Sequence, residues 1–259
     1  MNKQILKDLF DVTGKVALIT GAIGGLGAVA SKAFAAAGAK VMVTDINETK
    51  LQEIVKEIQA DGGDAAFALG DVTKPEDVKR VVKETADKFG GIDILITVAG
   101  VSKIQPIVEL ALEDWDRIMD INVKGTWLFC KEVGQLMIKQ GRGGKVILIG
   151  SARGFLGMPG YSGYATSKGA VHLLAKTLGW EWGPYKINVN AIAPTVFRTA
   201  LTQWMFDDDA AYKRFLVRIP IGRLGEPEDF VGTLILLSSK ASDFITGAVI
   251  PVDGGYTAG

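Results

Sequence analysis

KVALITGAIGGLGAVASKAFAAA, Lys15 to Ala37, reads as a strand, a glycine turn and a helix. Lys15 to Thr20 is a short apolar run of β-formers, and the alanine-rich stretch Ala28 to Ala37 predicts a helix. Between them Gly21, Gly25 and Gly27, with Leu26 in the same turn, permit positive φ and close backbone approach. A pyrophosphate needs that geometry to reach the amides at a helix N-terminus. The pattern G-x-G-x-x-A of Gly25, Gly27 and Ala30 also suits tight strand-helix packing, so the strand before and the helix after it carry the nucleotide-binding signal.

Working outward, Lys40 to Asp45 (KVMVTD) predicts a second strand ending in an acid eighteen residues after Gly27. A carboxylate there accepts hydrogen bonds from an adenosine ribose diol and repels a 2′-phosphate, which selects NAD over NADP. The competing reading is a helix cap for the segment beginning near Asn47. Asp64 to Asp71 predicts a third strand that leaves Asp71 and Val72 beside the adenine edge, and Pro75 to Phe89 a charged amphipathic helix opened by proline. Gly91 to Gly100 predicts the fourth strand. Glu113 to Lys139 reads as one long helix whose Trp115, Met119, Ile121, Trp127, Leu128 and Phe129 are too apolar for a solvated surface, so it is expected to pack on a partner subunit as well as on the sheet. Asn122 within it is either a link to neighbouring backbone or part of a site.

Lys145 to Gly150 predicts the fifth strand, and Gly163 to Glu181 the helix that follows its loop. Tyr164 and Lys168 lie one helical turn apart, and an ammonium beside a phenol favours its ionised form. Ser151, thirteen residues before Tyr164, is delivered to the strand's carboxyl edge, where ligands bind in such sheets. Ile187 to Ile192, ending in Ala193 and Pro194, is the sixth strand, Pro227 to Ser238 a helix and Ala248 to Val252 the seventh strand. Residues 195–218 mix aromatics with Asp207, Asp208 and Asp209 without a clear strand and read as a lid. Strands alternating with helices throughout imply an α/β, Rossmann-type, doubly wound parallel sheet of about seven strands with helices on both faces, one domain over 1–259.

Composition narrows the function. A chain of 259 residues that is 48% hydrophobic can bury one large core, and zero formal net charge with pI about 6.6 offers no basic face for nucleic acid or anionic membrane. No run approaches a membrane span and Met1 to Phe10 lacks the pattern of a signal peptide, so a cytoplasmic protein is expected. A single cysteine, Cys130, and a single histidine, His172, argue against a disulfide, a metal site and a Ser/His/Asp scheme; both read as packed helix residues.

These residues resemble the short-chain dehydrogenase/reductase family over nearly the whole chain. TGAIGGLG at Thr20 to Gly27 is similar to the family's TGxxxGxG turn, and INVKG at Ile121 to Gly125 carries its helix asparagine. Ser151 with YATSK carries its catalytic trio, NAIAP followed by Thr199 its nicotinamide segment, and VDGGY its last strand and turn. The resemblance implies a hydride transfer between NAD and a secondary alcohol or ketone. Ser151 would hydrogen-bond the substrate oxygen, Tyr164 exchange the proton, Lys168 bind the nicotinamide ribose and lower the phenol's pKa, and Asn122 hold a water joining Lys168 to solvent. Gly21, Gly25, Leu26, Gly27, Asp45, Asp71, Val72, Ala99, Gly100, Pro194 and Thr199 would line the cofactor, and a tetramer is implied. Bringing a phenol from near ~10 to about 7 requires roughly 4 kcal/mol of differential stabilisation.

Two departures stand out. Thr97-Val98-Ala99-Gly100 replaces the family's NNAG, which removes amides that would brace the sheet, and Thr195 replaces the glycine after Pro194, which reduces backbone freedom at the root of the lid. The opening LFDVTGKVALITG and Asp45 resemble NAD-linked polyol and sugar-acid dehydrogenases of the gluconate 5-dehydrogenase type. A 3-oxoacyl-carrier or CoA-ester reductase is the alternative enzyme, opposed by Asp45 and by the acidic run at 207–209; a nucleotide-sensing protein is the alternative outside catalysis. For the substrate, Arg153, Tyr161 and Trp204 are the candidates; Arg153 or Arg198 could reach the pocket mouth, where a planar guanidinium suits a carboxylate, the competing expectation being a solvated arginine or a pair with an acid such as Asp207.

Overall fold

A computed structural model describes residues 2–199 and 202–259. Seven parallel strands form one sheet in the order β3-β2-β1-β4-β5-β6-β7: β1 Val16–Thr20, β2 Lys40–Asp45, β3 Asp64–Leu69, β4 Ile94–Thr97, β5 Gly144–Ile149, β6 Ile187–Pro194 and β7 Val249–Val252. The central strands are apolar on both sides because both faces are covered. On β1, Ala17 and Ile19 pack with Phe34, Leu51, Ile54, Phe230 and Leu234 on one face, and Leu18 packs with Val78, Val81, Phe129, Val133 and Val171 on the other. These layers are built by α2 Gly25–Ala36, α3 Glu48–Ala60 and α10 Val231–Ser238 on the first face, and by α4 Pro75–Phe89, α6 Thr126–Gln140 and α7 Ser162–Trp182 on the second. Strand order reverses between β1 and β4, so a crevice opens at their carboxyl ends.

The helix expected over Glu113 to Lys139 is interrupted. It divides into α5 Leu112–Met119, a widened π segment Asp120–Gly125 and α6. The segment carries Asn122 toward the site and seats Gly125 against Val72, where a Cβ would come 2.7 Å from a Val72 methyl. The region expected to be an irregular lid contains two short helices, α8 Gln203–Asp207 and α9 Asp209–Leu216; residues 200 and 201 of that region lie outside the described ones. An exposed helix, α1 Lys3–Leu9, was not anticipated, and Pro227–Phe230 forms a 3-10 turn ahead of α10. Among the described residues no helix is long and apolar enough to cross a membrane, and no cluster of His, Cys, Asp and Glu could hold a metal ion.

Candidate active site

The turn after β1 cannot accommodate side chains. Gly21 adopts φ +65°, and a Cβ on it would lie 2.5 Å from the Ala99 nitrogen; one on Gly27 would lie 2.1 Å from the Gly21 carbonyl oxygen, and one on Gly25 2.7 Å from a Thr199 methyl carbon. The backbone therefore packs against the start of α2 as a cradle, and a pyrophosphate at that N-terminus fits it. The cleft beside it, about 1010 Å³, is lined by Gly21, Gly25, Leu26, Asp45, Asp71, Val72, Ala99, Gly100, Ser151, Tyr164, Lys168, Pro194 and Thr199. Gly27 lies behind the turn. Sequence reading missed Ile46, Thr73, Val101, Arg117, Ile121, Phe197 and Thr202, which also line the cleft; those on the widened helix and in the loops after strands have no periodicity to reveal them.

Asp45 sits at the end of β2 with one carboxylate oxygen accepting from the Ile46 N–H at 2.8 Å. Partial burial pushes its pKa up, against the lowering influence of the Ile46 and Ile23 amides. The helix-cap reading fails here, because the N-cap of α3 is Asn47, whose side chain accepts from the Lys50 N–H at 3.0 Å. Where the family's amides are missing, the Ala99 N–H donates to the Thr20 hydroxyl at 3.3 Å and the Val98 N–H to the Thr20 carbonyl at 3.3 Å. The hydroxyls of Thr44 and Thr97, flanking Thr20 in register, are buried without a hydrogen-bond partner among the described residues.

Tyr164 and Lys168 share one face of α7, with the ammonium 5.7 Å from the phenol ring centre. Lys168 Nζ donates to the Ile149 carbonyl at 2.7 Å, and burial lowers its pKa to about 8, so it keeps its charge at neutral pH. Ser151 accepts from the Arg153 N–H at 3.1 Å, and its hydroxyl favours the ionised Tyr164 phenol. The phenol's pKa is nevertheless raised, because desolvation outweighs the Ser151 hydrogen bond. In the chain alone, the groups that lower it are Ser151 and Arg153, and the expected lowering by Lys168 does not set the direction. Asn122 accepts from the Val101 N–H at 2.8 Å and donates to the Val101 carbonyl and the Ser167 hydroxyl, each at 2.9 Å. It braces the turn after β4 against α7, and Gly100 leaves the room: a Cβ there would come 3.2 Å from the Asn122 carboxamide oxygen and 3.5 Å from Lys168 Nζ.

His172 continues the Tyr164 and Lys168 face by one more turn. The Ser151 N–H donates to its Nε2 at 3.3 Å, Phe155 packs on its ring at 4.5 Å, and Gly150 and Gly154 leave space for the imidazole. Its four-residue spacing from Lys168 was the available signal for a supporting role. Burial first, then the ammonium groups of Lys168 and Lys176, lower its pKa to about 4. A neutral native imidazole contributes stability that is full above the unfolded pKa of about 6.5 and is lost as pH falls toward the folded value. Stability should drop by about 2 kcal/mol more in the wild type than in His172→Gln between pH 7 and pH 4.5, measured by urea unfolding. Equal losses would place the acid sensitivity elsewhere.

The substrate candidates do not line the cleft. Arg153 is buried rather than at the cleft mouth, with its guanidinium hydrogen-bonded to the Tyr256 hydroxyl. Arg198 pairs with Glu226, 3.1 Å to both oxygens, and stacks 4.1 Å from the Phe206 ring centre, so it is committed at the surface. Trp204 is half-exposed on α8, and Tyr161 stands edge-on to Tyr164 with ring centres 6.3 Å apart.

The family model described as "Enoyl-(Acyl carrier protein) reductase" matches residues 21–257. The chain belongs to the short-chain dehydrogenase/reductase family. It is an oxidoreductase of that family, acting on CH–OH groups. It is 47% identical over 254 residues to an "Uncharacterized oxidoreductase" of Mycobacterium tuberculosis, covering 96% of this chain and 93% of that one. To the 3-oxoacyl-[acyl-carrier-protein] reductase of Thermotoga maritima it is 37% identical, covering 93% and 97%. Among solved structures, a gluconate 5-dehydrogenase from Burkholderia cenocepacia in complex with NADP and tartrate superposes with a TM-score of 0.94 at 35% identity, covering 97% of this chain and 98% of that one.

Proposed function

We propose that this enzyme transfers a hydride between NAD(H) and a secondary alcohol of a small polar compound, a polyol, sugar or sugar acid. The observation that carries the reading is the meeting of Ser151, Tyr164 and Lys168 at the carboxyl edge of β5, inside the cleft that the glycine cradle opens. Ser151 positions the substrate oxygen and Tyr164 moves its proton. Lys168 holds a positive charge behind the phenol and a donor toward a ribose, and Asn122 keeps Val101 and α7 in register. When bound, the nicotinamide supplies or accepts the hydride. Residues 195–218 act as the lid, and exposed Trp127 on α6 with Leu173 and Trp180 on α7 support a homo-oligomer, whose tetrameric form is inferred from the family resemblance alone.

Asp45 supports NAD over NADP, since it lines the cleft and is not used as a helix cap. The similarity to a structure that holds NADP makes this the point to test. Asp45→Ala should raise the KM for NAD and relax discrimination against NADP by roughly 1 to 3 kcal/mol. A wild-type preference for NADP would overturn the cofactor assignment. A panel of secondary alcohols and sugar acids with each nucleotide, followed by reduced-nicotinamide absorbance, tests the reaction itself. Turnover confined to 3-oxoacyl thioesters would favour the reductase alternative, and nucleotide binding with no turnover on any compound would favour a sensor.

A further inference from the structure

The backbone of β5 leaves its ladder at Ser151. The Gly150 N–H still donates to the Ile192 carbonyl of β6 at 2.8 Å, whereas the Ser151 N–H turns to a side chain, Nε2 of His172 on α7, at 3.3 Å. Both residues are buried, so loss of the imidazole would orphan that amide. The ring is boxed in place. A Cβ on Gly150 would come 2.3 Å from Nε2 and one on Gly154 2.4 Å from Cε1, and the Phe155 ring covers the imidazole at 4.5 Å between centres. Neither glycine takes a positive φ, so what their missing side chains supply is room for the ring. An imidazole accepting at Nε2 carries its hydrogen on Nδ1. The charged groups acting on it are Lys168 and Lys176, one turn to either side on α7, and both oppose its protonation. From the β5 loop Ser151, Gly154 and Phe155 bring no charge, and Arg153 directs its guanidinium to Tyr256.

We propose that His172 is a positioning residue for the hydride transfer: its Nε2 ties the Ser151 backbone to α7, so that the Ser151 hydroxyl keeps its place against the Tyr164 phenol and the substrate oxygen that both address. The inference rests on the dehydrogenase reading above and adds a residue to its machinery. Tyr164, Lys168 and His172 follow one another at single-turn intervals on α7. Lys168 Nζ holds the Ile149 carbonyl at 2.7 Å and His172 holds the Ser151 N–H, so one helix grips the end of β5 on both sides of Gly150. Fixing the amide fixes the hydroxyl. Ser151 Oγ accepts from the Arg153 N–H at 3.1 Å, which leaves its hydrogen for the phenol, whose ionised form it favours. The spacing between hydroxyl and phenol is thus set within a single helix and its tether. His172 itself lies behind Ser151, outside the lining of the cleft, and acts through the serine alone.

Glutamine can present an amide oxygen where Nε2 stands, asparagine is one methylene too short, and leucine fills the space without an acceptor. With a secondary alcohol that the panel shows to be turned over, His172→Leu and His172→Asn should lower kcat about 30-fold while NADH affinity, read by fluorescence, changes less than about 2-fold. His172→Gln should recover most of the rate. In alcohol oxidation the acid limb of kcat should also move to higher pH in His172→Leu and stay in His172→Gln, because the phenol loses the Ser151 hydrogen bond that lowers its pKa. Lys168, Tyr161 and Arg153, the other groups around that phenol, are the same in every variant. Should the leucine variant fail to fold, asparagine against glutamine carries the comparison. Equal losses with and without an acceptor would make His172 a filler of space, and unchanged rates in the leucine and asparagine variants would remove its role; either result overturns the proposal. If no compound turns over, the dehydrogenase reading fails separately, and the tether is judged on the free protein. His172 is the chain's single histidine, so NMR of the imidazole nitrogens reads it alone. Hydrogen on Nδ1 with Nε2 accepting supports the tether, and hydrogen on Nε2 overturns it.

Discussion

Tyr164→Phe should lower turnover by about 10³-fold or more while leaving NADH affinity nearly unchanged, because the ring still packs and only the proton path is removed. The buried phenol has its pKa raised within the chain alone, with Ser151 pulling the other way. Lys168, 5.7 Å from the ring centre, does not by itself offset that burial, so further positive charge, which an oxidised nicotinamide would supply when bound, is needed beside the phenol. Stopped-flow turnover and fluorescence titration of NADH separate the two effects. A variant that keeps more than about a tenth of wild-type activity would remove Tyr164 from its role.

Lys168→Met should act on two quantities at once. Rate and nicotinamide affinity should both fall, with a combined loss in kcat/KM of about 10³-fold, since on the proposed reading one ammonium in the cleft serves both the phenol and the nicotinamide ribose. Stability should move in the opposite direction. The native pKa of Lys168, about 8, is depressed below its ordinary 10.5, so its charged form is disfavoured by folding, and the stability it withholds is regained only as pH rises toward the unfolded value. Methionine removes that penalty but orphans the Ile149 carbonyl, which leaves a net gain of up to about 2 kcal/mol at pH 7. A variant that is both inactive and less stable would show that the activity loss is a folding defect.

The α/β class, the strand positions, the glycine cradle and the Tyr164–Lys168 pair were legible in the chain because each depends on neighbours within a few residues. A parallel strand buried on both faces is an apolar run, a phosphate turn is a cluster of glycines, and residues four apart share a helix face. Helix α4 spans Pro75–Phe89 as its opening proline and amphipathic charge pattern predicted, and the structure caps it with Gly90 at a left-handed φ of 85°. What tertiary contacts decided has no such local mark. Arg153 meets Tyr256 from 103 residues away, and Arg198 meets Glu226 from 28 residues away. Two arginines equivalent by their place in the sequence thus became a buried open donor and a surface ion pair. A widened segment holding Asn122 interrupts a helix that periodicity drew as continuous, and His172 became a support for Ser151 only when α7 packed under the β5 loop. The phenol's pKa likewise follows from burial, a property of the whole packed molecule, and no spacing of residues along the chain can report it.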